Sequence, residues 1–303
     1  MTAVCVCAGN GTGASNSKGS IDMDLLSIVR QSGLEFNDPA GHPDALNLAI
    51  AASSHDVVAR VDGHALIPRD YLSIAVDVLR RTGAENVGGI MDAQGTTAFE
   101  RAVAAAMRSR LGVGNSPFHT GGSEGPAETV YLGVFRRSAL ERVGGYDAHF
   151  ARAQDWELNH RIRATGGLVW FTPDLTVSYR PRSSLAALGR QYFYYGRWRR
   201  VVARTHGTIS ARYLAPPVLV LGLGVALLIA PWWHWALLAP LGYLLLIAGG
   251  GMLVGAGLRR RERALVPVAL AAMHISWGIG FLTSPSHLKH QPQDVAASPE
   301  VIL

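Results

Sequence analysis

Lysine is almost missing from this 303-residue chain: Lys18 and Lys289 stand against 26 arginines, so guanidinium groups carry nearly all of the formal charge of +6. That bias, with abundant Ala and Gly, is what a GC-rich genome produces, and by itself it assigns no function. Cysteine is nearly absent too. Cys5 and Cys7 lie one residue apart and have no second pair, which excludes a disulfide framework and a cysteine zinc site and fits a reducing, cytosolic setting. The N-terminus lacks a basic region followed by an apolar core, so no signal peptide is expected. No nucleic-acid-binding motif occurs, and basic character beside apolar spans favours an anionic membrane face over nucleic acid. A phosphate loop is missing as well: residues 8–20 are rich in Gly, Ser and Asn, but the order is Lys18-Gly19-Ser20 and the glycine spacing is wrong. A flexible or poorly ordered segment is expected there.

Charge is also scarce over residues 213–282, apart from one basic cluster. Three apolar runs fill this part, Leu214–Ala230, Trp235–Gly257 and Leu265–Leu282, each long enough to be read as a spanning helix. Trp232, Trp233 and Trp235 crowd one connection, and Arg259, Arg260, Arg261 and Arg263 the next. Arg197, Arg199, Arg200, Arg204 and Arg212 precede the first run. The positive-inside rule then puts residues 1–212 and the loop 258–263 in the cytosol. If all three runs cross, the Trp-rich connection and the C-terminal tail lie outside.

Before these runs the pattern is α/β. Helices are expected at 44–53, 69–82, 97–110, 137–142, 153–165 and 183–206, and strands at 56–61, 87–91, 128–135, 168–171 and 176–180, with 111–127 a loop. Such alternation argues for a layered α/β fold.

Three segments carry chemistry. Asp62-Gly63-His64 closes the apolar run His55–Val61; an acid and a second metal-competent side chain at a strand end can hold a divalent cation, although Asp-Gly is equally a common turn dipeptide. Asp155 stands in the first turn of a helix that follows the Gly144-Gly145-Tyr146 turn, where the helix dipole favours an acid and a cleft can use it. Its neighbours Glu157 and Arg161 are spaced for an i,i+4 surface pair. The third segment runs from Arg190 to Arg200 and includes Gln191, Tyr192, Tyr194, Tyr195, Arg197 and Trp198. It reads both as an interfacial helix dipping aromatics into lipid and as a cationic, aromatic wall for a sugar diphosphate. His119, after a Gly-rich loop, is a further candidate for lining a cleft, and Asn47 is expected to be structural.

Taken in order, Asp-x-His after a strand, Gly-Gly-Tyr, Gln-Asp-x-x-Leu, Gln-x-x-x-Tyr-Gly-x-Trp and C-terminal apolar spans resemble family 2 glycosyltransferases with the GT-A fold. The resemblance is strongest to membrane-attached, succinoglycan-type bacterial transferases that build surface polysaccharides, and it covers roughly residues 36–285. It implies an α/β fold with a Rossmann-like mixed sheet and flanking helices, followed by transmembrane helices. Asp62 and His64 match the Asp-x-Asp position that contacts the nucleotide diphosphate and ligates Mg²⁺ or Mn²⁺, and Asp155 matches the catalytic base, preceded by Gln154 in place of an acid. Gln191, Arg197 and Trp198 match loosely the region flanking donor diphosphate and acceptor.

The implied activity is inverting transfer from a nucleotide-sugar to a saccharide acceptor, lipid-linked in the expected case, at the cytosolic face of the plasma membrane. The expected partners are the donor, the acceptor and the bilayer, with no nucleic acid. The chain departs from the family at its start: Met1–Leu34 shows neither the Pro-x-x-Asn-Glu strand nor the following acidic strand. The expected organisation is a divergent or poorly ordered segment 1–35, a GT-A domain 36–212 incomplete in its N-terminal half, a three-helix membrane domain 213–283 and a disordered tail 284–303. A catalytically inactive relative and a non-enzymatic membrane partner are the competing readings. The spans hold little ionisable character beyond His234 and His274, which argues against a solute path.

Overall fold

The computed structural model describes residues 3–8, 43–62, 65–150, 152–207, 210–286 and 288. They form two compact units, one from the described residues of Met1–Met91 and Gly121–Ser178, the other from Asp92–Thr120 and Tyr179–Lys289.

The first unit is built on a six-stranded mixed sheet of order β1-β2-β5-β3-β6-β4, with β1 Ala3–Ala8, β2 Val57–Asp62, β3 Asn86–Ala93, β4 Gly125–Pro126, β5 Tyr131–Arg136 and β6 Val169–Tyr179. β1/β2, β2/β5, β3/β5 and β4/β6 pair antiparallel. β3 and β6 advance in the same direction: the Glu85 N–H donates to Leu168 O at one end and the Gln94 N–H to Tyr179 O at the other. Helices α1 Pro43–Ala52, α2 Tyr71–Thr82, α6 Arg137–Val143 and α7 Gln154–Ala164 belong to this unit.

One face of β2 makes the core. Val57, Ala59 and Val61 pack with Tyr71, Ala75, Val78 and Leu79 of α2 and with Val87, Leu132, Val134, Leu175 and Val177 of neighbouring strands. Each such large side chain contributes about 1.5–3 kcal/mol of burial. Tyr71 satisfies its hydroxyl inside this core by donating to Leu132 O at 2.9 Å. A second tie is polar. Asn86 Nδ2 donates to Asn159 Oδ1 at 2.6 Å, and Asn159 Nδ2 donates to Thr129 Oγ1 at 2.9 Å, which fastens α7 to β3 and to the segment leading into β5.

Two departures from the sequence reading have plain causes. Ala3–Ala8 is a strand, registered from Ala3 opposite Asp62 to Ala8 opposite Val57, whereas no strand was expected in 1–35; residues 9–42 of that segment lie outside those described. The two strands expected at 168–171 and 176–180 are one strand, β6, running through Pro173. Proline removes a ladder donor, but β6 pairs β4 only at Trp170 and Phe171, and proline is tolerated where an edge is unpaired.

The second unit is helical: α3 Ala98–Met107, α4 Arg110–Val113, α5 Pro117–Thr120, α8 Leu185–His206, α9 Ala215–Ile229, α10 Leu238–Val254 and α11 Arg260–Leu282. α11 starts five residues before the expected span, because Glu262 accepts from the Arg259 N–H at 3.3 Å and so begins the helix inside the arginine cluster. Three helices, Ala211–Ile229, His234–Val254 and Arg260–Leu282, are long and apolar enough to cross a membrane.

The Asn86–Asn159 bond carries a prediction. Asn159→Leu leaves the buried Asn86 Nδ2 without its acceptor and is expected to cost about 1–3 kcal/mol. This would be read as a lowered Tm of the purified protein; an unchanged Tm would remove this role from Asn159.

Candidate active site

Alternation along β2 sets the site. With Val57, Ala59 and Val61 turned to the core, Arg60 and Asp62 share the other face. Arg60 is 8% exposed although it is charged, and a buried guanidinium requires partners. It has two: Nε donates to Asp62 Oδ1 at 2.8 Å, and Nη1 donates to Asp155 Oδ1 in a short contact. A residue in β2 thus ties together two acids that the sequence separates by more than ninety positions.

Asp155 is brought there by its helix. It sits in the first turn of α7, four residues before Asn159, which anchors that helix to the sheet. The residue before the helix, Ala153, has φ 61°, a left-handed conformation that costs a non-glycine residue roughly 1–2 kcal/mol. Local backbone strain is therefore held at the entry to the Asp155 turn. On the other side, Asn47 of α1 clamps the Gly-Gly-Tyr turn: its Nδ2 donates to Tyr146 O at 2.7 Å and its Oδ1 accepts from the Tyr146 N–H at 2.8 Å. Gly145, at φ 72°, needs to be glycine both for its backbone and because a Cβ there would fall 2.5 Å from Asn47 Oδ1. The turn so fixed lays the Tyr146 ring 5.8 Å beneath the Arg60 guanidinium.

The electrostatics follow. Burial works against the Arg60 charge, but Asp155, then Asp62 and Tyr146, outweigh it and hold the guanidinium well above its ordinary pKa. For Asp155, burial is the largest influence and raises its pKa; Arg60 pulls it down and Asp62 pushes it up, and the net is a rise. Its side chain remains 42% exposed, so water tempers the rise. The result is a carboxylate reachable from solvent and more basic than an ordinary aspartate.

The carboxylates here are few for a divalent ion. Among the described residues no group of three or more His, Cys, Asp or Glu side chains converges, so no all-protein cage exists among them. Magnesium bound with substrate phosphates ordinarily needs only one or two carboxylates, and Asp62, whose side chain is 19% exposed at the end of its strand, meets that requirement. His64, its expected companion ligand, lies outside the described residues.

The remaining expected site residues fall out differently. Gln154 opens α7 half-buried beside Asp155. Gln191, Arg197 and Trp198 belong to the second unit. Gln191 is buried and its Nε2 donates to the hydroxyls of Tyr179 and Tyr195. The Arg197 guanidinium lies 5.4 Å over the Phe193 ring. Trp198 is fully buried and in this state offers no open face on which a sugar could stack. The ring of His119, in the second unit, lies tilted against Phe118 with centroids 4.3 Å apart; burial, aided by Arg212, lowers its pKa to about 3 and keeps it neutral. Glu157 and Arg161 are not the surface pair that their spacing suggested. Glu157 is 1% exposed, takes a two-pronged bond from Arg161 at 2.7 and 2.6 Å, and Arg161 also donates to Val143 O. The pair locks α7 to the end of α6.

Arg60 was missed by a search for acids and histidines. Its signal was present: a charged residue inside an apolar strand, two positions from Asp62 and hence on the same face. A groove of about 330 Å³ at the other end of β2, lined by Asp56, Arg136 and Arg137 among others, is not part of this site. Two of its arginines are engaged within the fold, Arg136 donating to the carbonyls of Ala84 and Leu79, Arg137 to those of His55 and Ile50 and to the Ser53 hydroxyl.

The chain is 32% identical over 240 residues to the succinoglycan biosynthesis protein ExoA of Rhizobium meliloti (strain 1021), a match covering 78% of this chain and 72% of that protein. Among solved structures, the mannosyltransferase PcManGT from Pyrobaculum calidifontis, in complex with GDP-Man and Mn²⁺, matches over 84% of this chain and 74% of its own at 20% identity and a TM-score of 0.47. S. aureus TarS 1–349 matches over 86% and 78% at 15% identity and a TM-score of 0.40. No protein-family model matches the chain. With its mixed α/β sheet, its paired acids and 32% identity to the Rhizobium protein over 240 aligned residues, which cover most of both chains, this chain belongs to the succinoglycan-type glycosyltransferases of family 2.

Proposed function

We propose that this glycosyltransferase moves a sugar, with inversion, from a nucleoside-diphosphate donor to a saccharide acceptor in surface polysaccharide synthesis, and that Asp155 is its base. The observation that carries this reading is the approach of Asp155 and Asp62 to one guanidinium, Arg60. Asp155 is a partly exposed carboxylate with a raised pKa, which suits a group that must take a proton near neutral pH. Arg60 engages its Oδ1, so the acceptor hydroxyl would deliver its proton to Oδ2. The acceptor oxygen then bonds to the anomeric carbon from the face opposite the diphosphate, and the bond from that carbon to the diphosphate oxygen breaks, giving the inverted product and a nucleoside diphosphate.

The leaving group carries negative charge toward a cluster that is itself net negative, since one Arg60 stands between two carboxylates. A divalent cation, Mg²⁺ or Mn²⁺, held by Asp62 with His64 would neutralise the diphosphate when bound. Gln154, beside the base, would orient the donor or acceptor. The basic clusters flanking the apolar helices support attachment to the plasma membrane with the catalytic part in the cytosol. An acceptor carried on a lipid is in keeping with an enzyme attached to a bilayer.

Two measurements test this. Asp155→Asn is expected to lower the transfer rate by at least 10²–10⁴-fold while a UDP or GDP sugar still binds in the presence of Mn²⁺ by calorimetry; wild-type-like turnover would sink the assignment. Arg60→Gln removes the one influence that lowers the Asp155 pKa and leaves burial and Asp62, which raise it. A base works only when deprotonated, so the acidic limb of the kcat/KM–pH profile is expected to move to higher pH in this variant. An unshifted limb would separate Arg60 from the base.

A further inference from the structure

Three apolar helices in a row invite three crossings, but the packing of the second unit is incompatible with that count. Successive crossings alternate in direction, so the start of α9 and the end of α11 would lie on opposite faces of a hydrocarbon layer about 30 Å thick. They lie side by side instead. A Cβ built on Gly278, near the end of α11, would fall 2.5 Å from the carbonyl of Pro216, near the start of α9, and 2.6 Å from Val220 Cγ2.

Both ends of α11 are also held by helices that precede the first apolar segment. At its start, Arg101 of α3 pairs with buried Glu262 at 2.8 Å. Midway, the His274 ring meets Leu111 O of α4 at 2.8 Å. At its end, Arg200 of α8 donates to Phe281 O and Leu282 O at 3.0 and 3.1 Å, and Arg204 donates to Pro285 O at 2.6 Å. Glycines let α8 and α11 meet backbone to backbone: a Cβ on Gly196 would fall 2.0 Å from Trp277 O, and one on Gly280 would fall 2.0 Å from Phe193 O. If α11 crossed, α3, α4 and α8 would run with it at membrane depth and carry their arginines along. Charged side chains at that depth are strongly disfavoured.

Exposure divides the three helices in the same way. α9 and α10 present Leu221, Leu228, Leu241, Leu244 and Leu245 outward, whereas the large apolar residues that α11 exposes are Val268 and Ile279. Trp232, Trp233 and Trp235, on the connection between α9 and α10, are 82%, 58% and 58% exposed, as interfacial anchors at the far side of a bilayer would be.

We infer that α11 does not cross the membrane. It lies on the cytosolic face as the element on which α3, α4 and α8 assemble, and α9 and α10 alone enter the lipid. Two crossings return the chain to its starting side, so the tail after Leu282 lies in the cytosol and not outside. No candidate span precedes Ala211 among the described residues, so the part that carries Asp155 shares that side. This inference does not depend on the catalytic reading.

Single cysteines in a Cys5→Ser/Cys7→Ser background test it with the full chain in a Gram-negative host, using a membrane-impermeant maleimide on intact spheroplasts and again after permeabilisation. Trp233→Cys is expected to label in intact spheroplasts, and Ala297→Cys only after permeabilisation. Labelling of Ala297→Cys from outside, or failure of Trp233→Cys to label from outside, overturns the proposal.

Discussion

A single guanidinium under two carboxylates is the constraint around which the first unit is organised. Burying Arg60 in a strand is costly unless its charge is answered at short range, and the answer comes from both ends of the chain's order: Asp62, two residues on, and Asp155, far downstream. Each neighbouring element has a part in making that possible. α2 takes the apolar face of β2 and so forces Arg60 to the other. Asn47 fixes the turn that puts Tyr146 under the guanidinium. Asn159 and the buried Glu157–Arg161 pair seat α7 so that its first turn meets the strand.

The same arrangement reconciles two demands on Asp155. A base has to be accessible and moderately basic, yet held in place. Exposure of part of the side chain meets the first demand, burial of the rest raises its basicity, and Arg60 orients it while opposing that rise. The orienting group is arginine, which stays charged at any pH at which the enzyme works, so only the Asp155 half of the pair titrates.

Much of this was legible in the residue order, for reasons that differ by element. β2 and α2 announced themselves by alternation and by helical periodicity, because one face of each is buried and the other is not. Asp62 and Asp155 could be picked out because the ordered set of motifs that contains them matches a family, while either acid alone is common at its position. β1 was missed because its partner, β2, lies some fifty residues away and nothing local marks an edge strand. Glu157–Arg161 was misread because spacing gives the pairing but not the burial. Hydropathy alone does not count the crossings: α11 is apolar enough for lipid, yet it packs against α3, α4 and α8, a circumstance that only tertiary packing reveals.

The bond between Arg60 and Asp155 joins residues 95 positions apart, and this has a kinetic meaning. Contacts that close long loops form late, after the local hairpins and helices that make the closure affordable. The core that β2 shares with α2, β3 and β5 also rests on non-local pairing, since Val57 is registered with Arg136, and until α7 docks Arg60 stands on the bare side of its strand. The charged cluster is completed only when α7 docks. Whenever α7 is away from the sheet, the strand holds its arginine and first acid out to water without the second acid that encloses them.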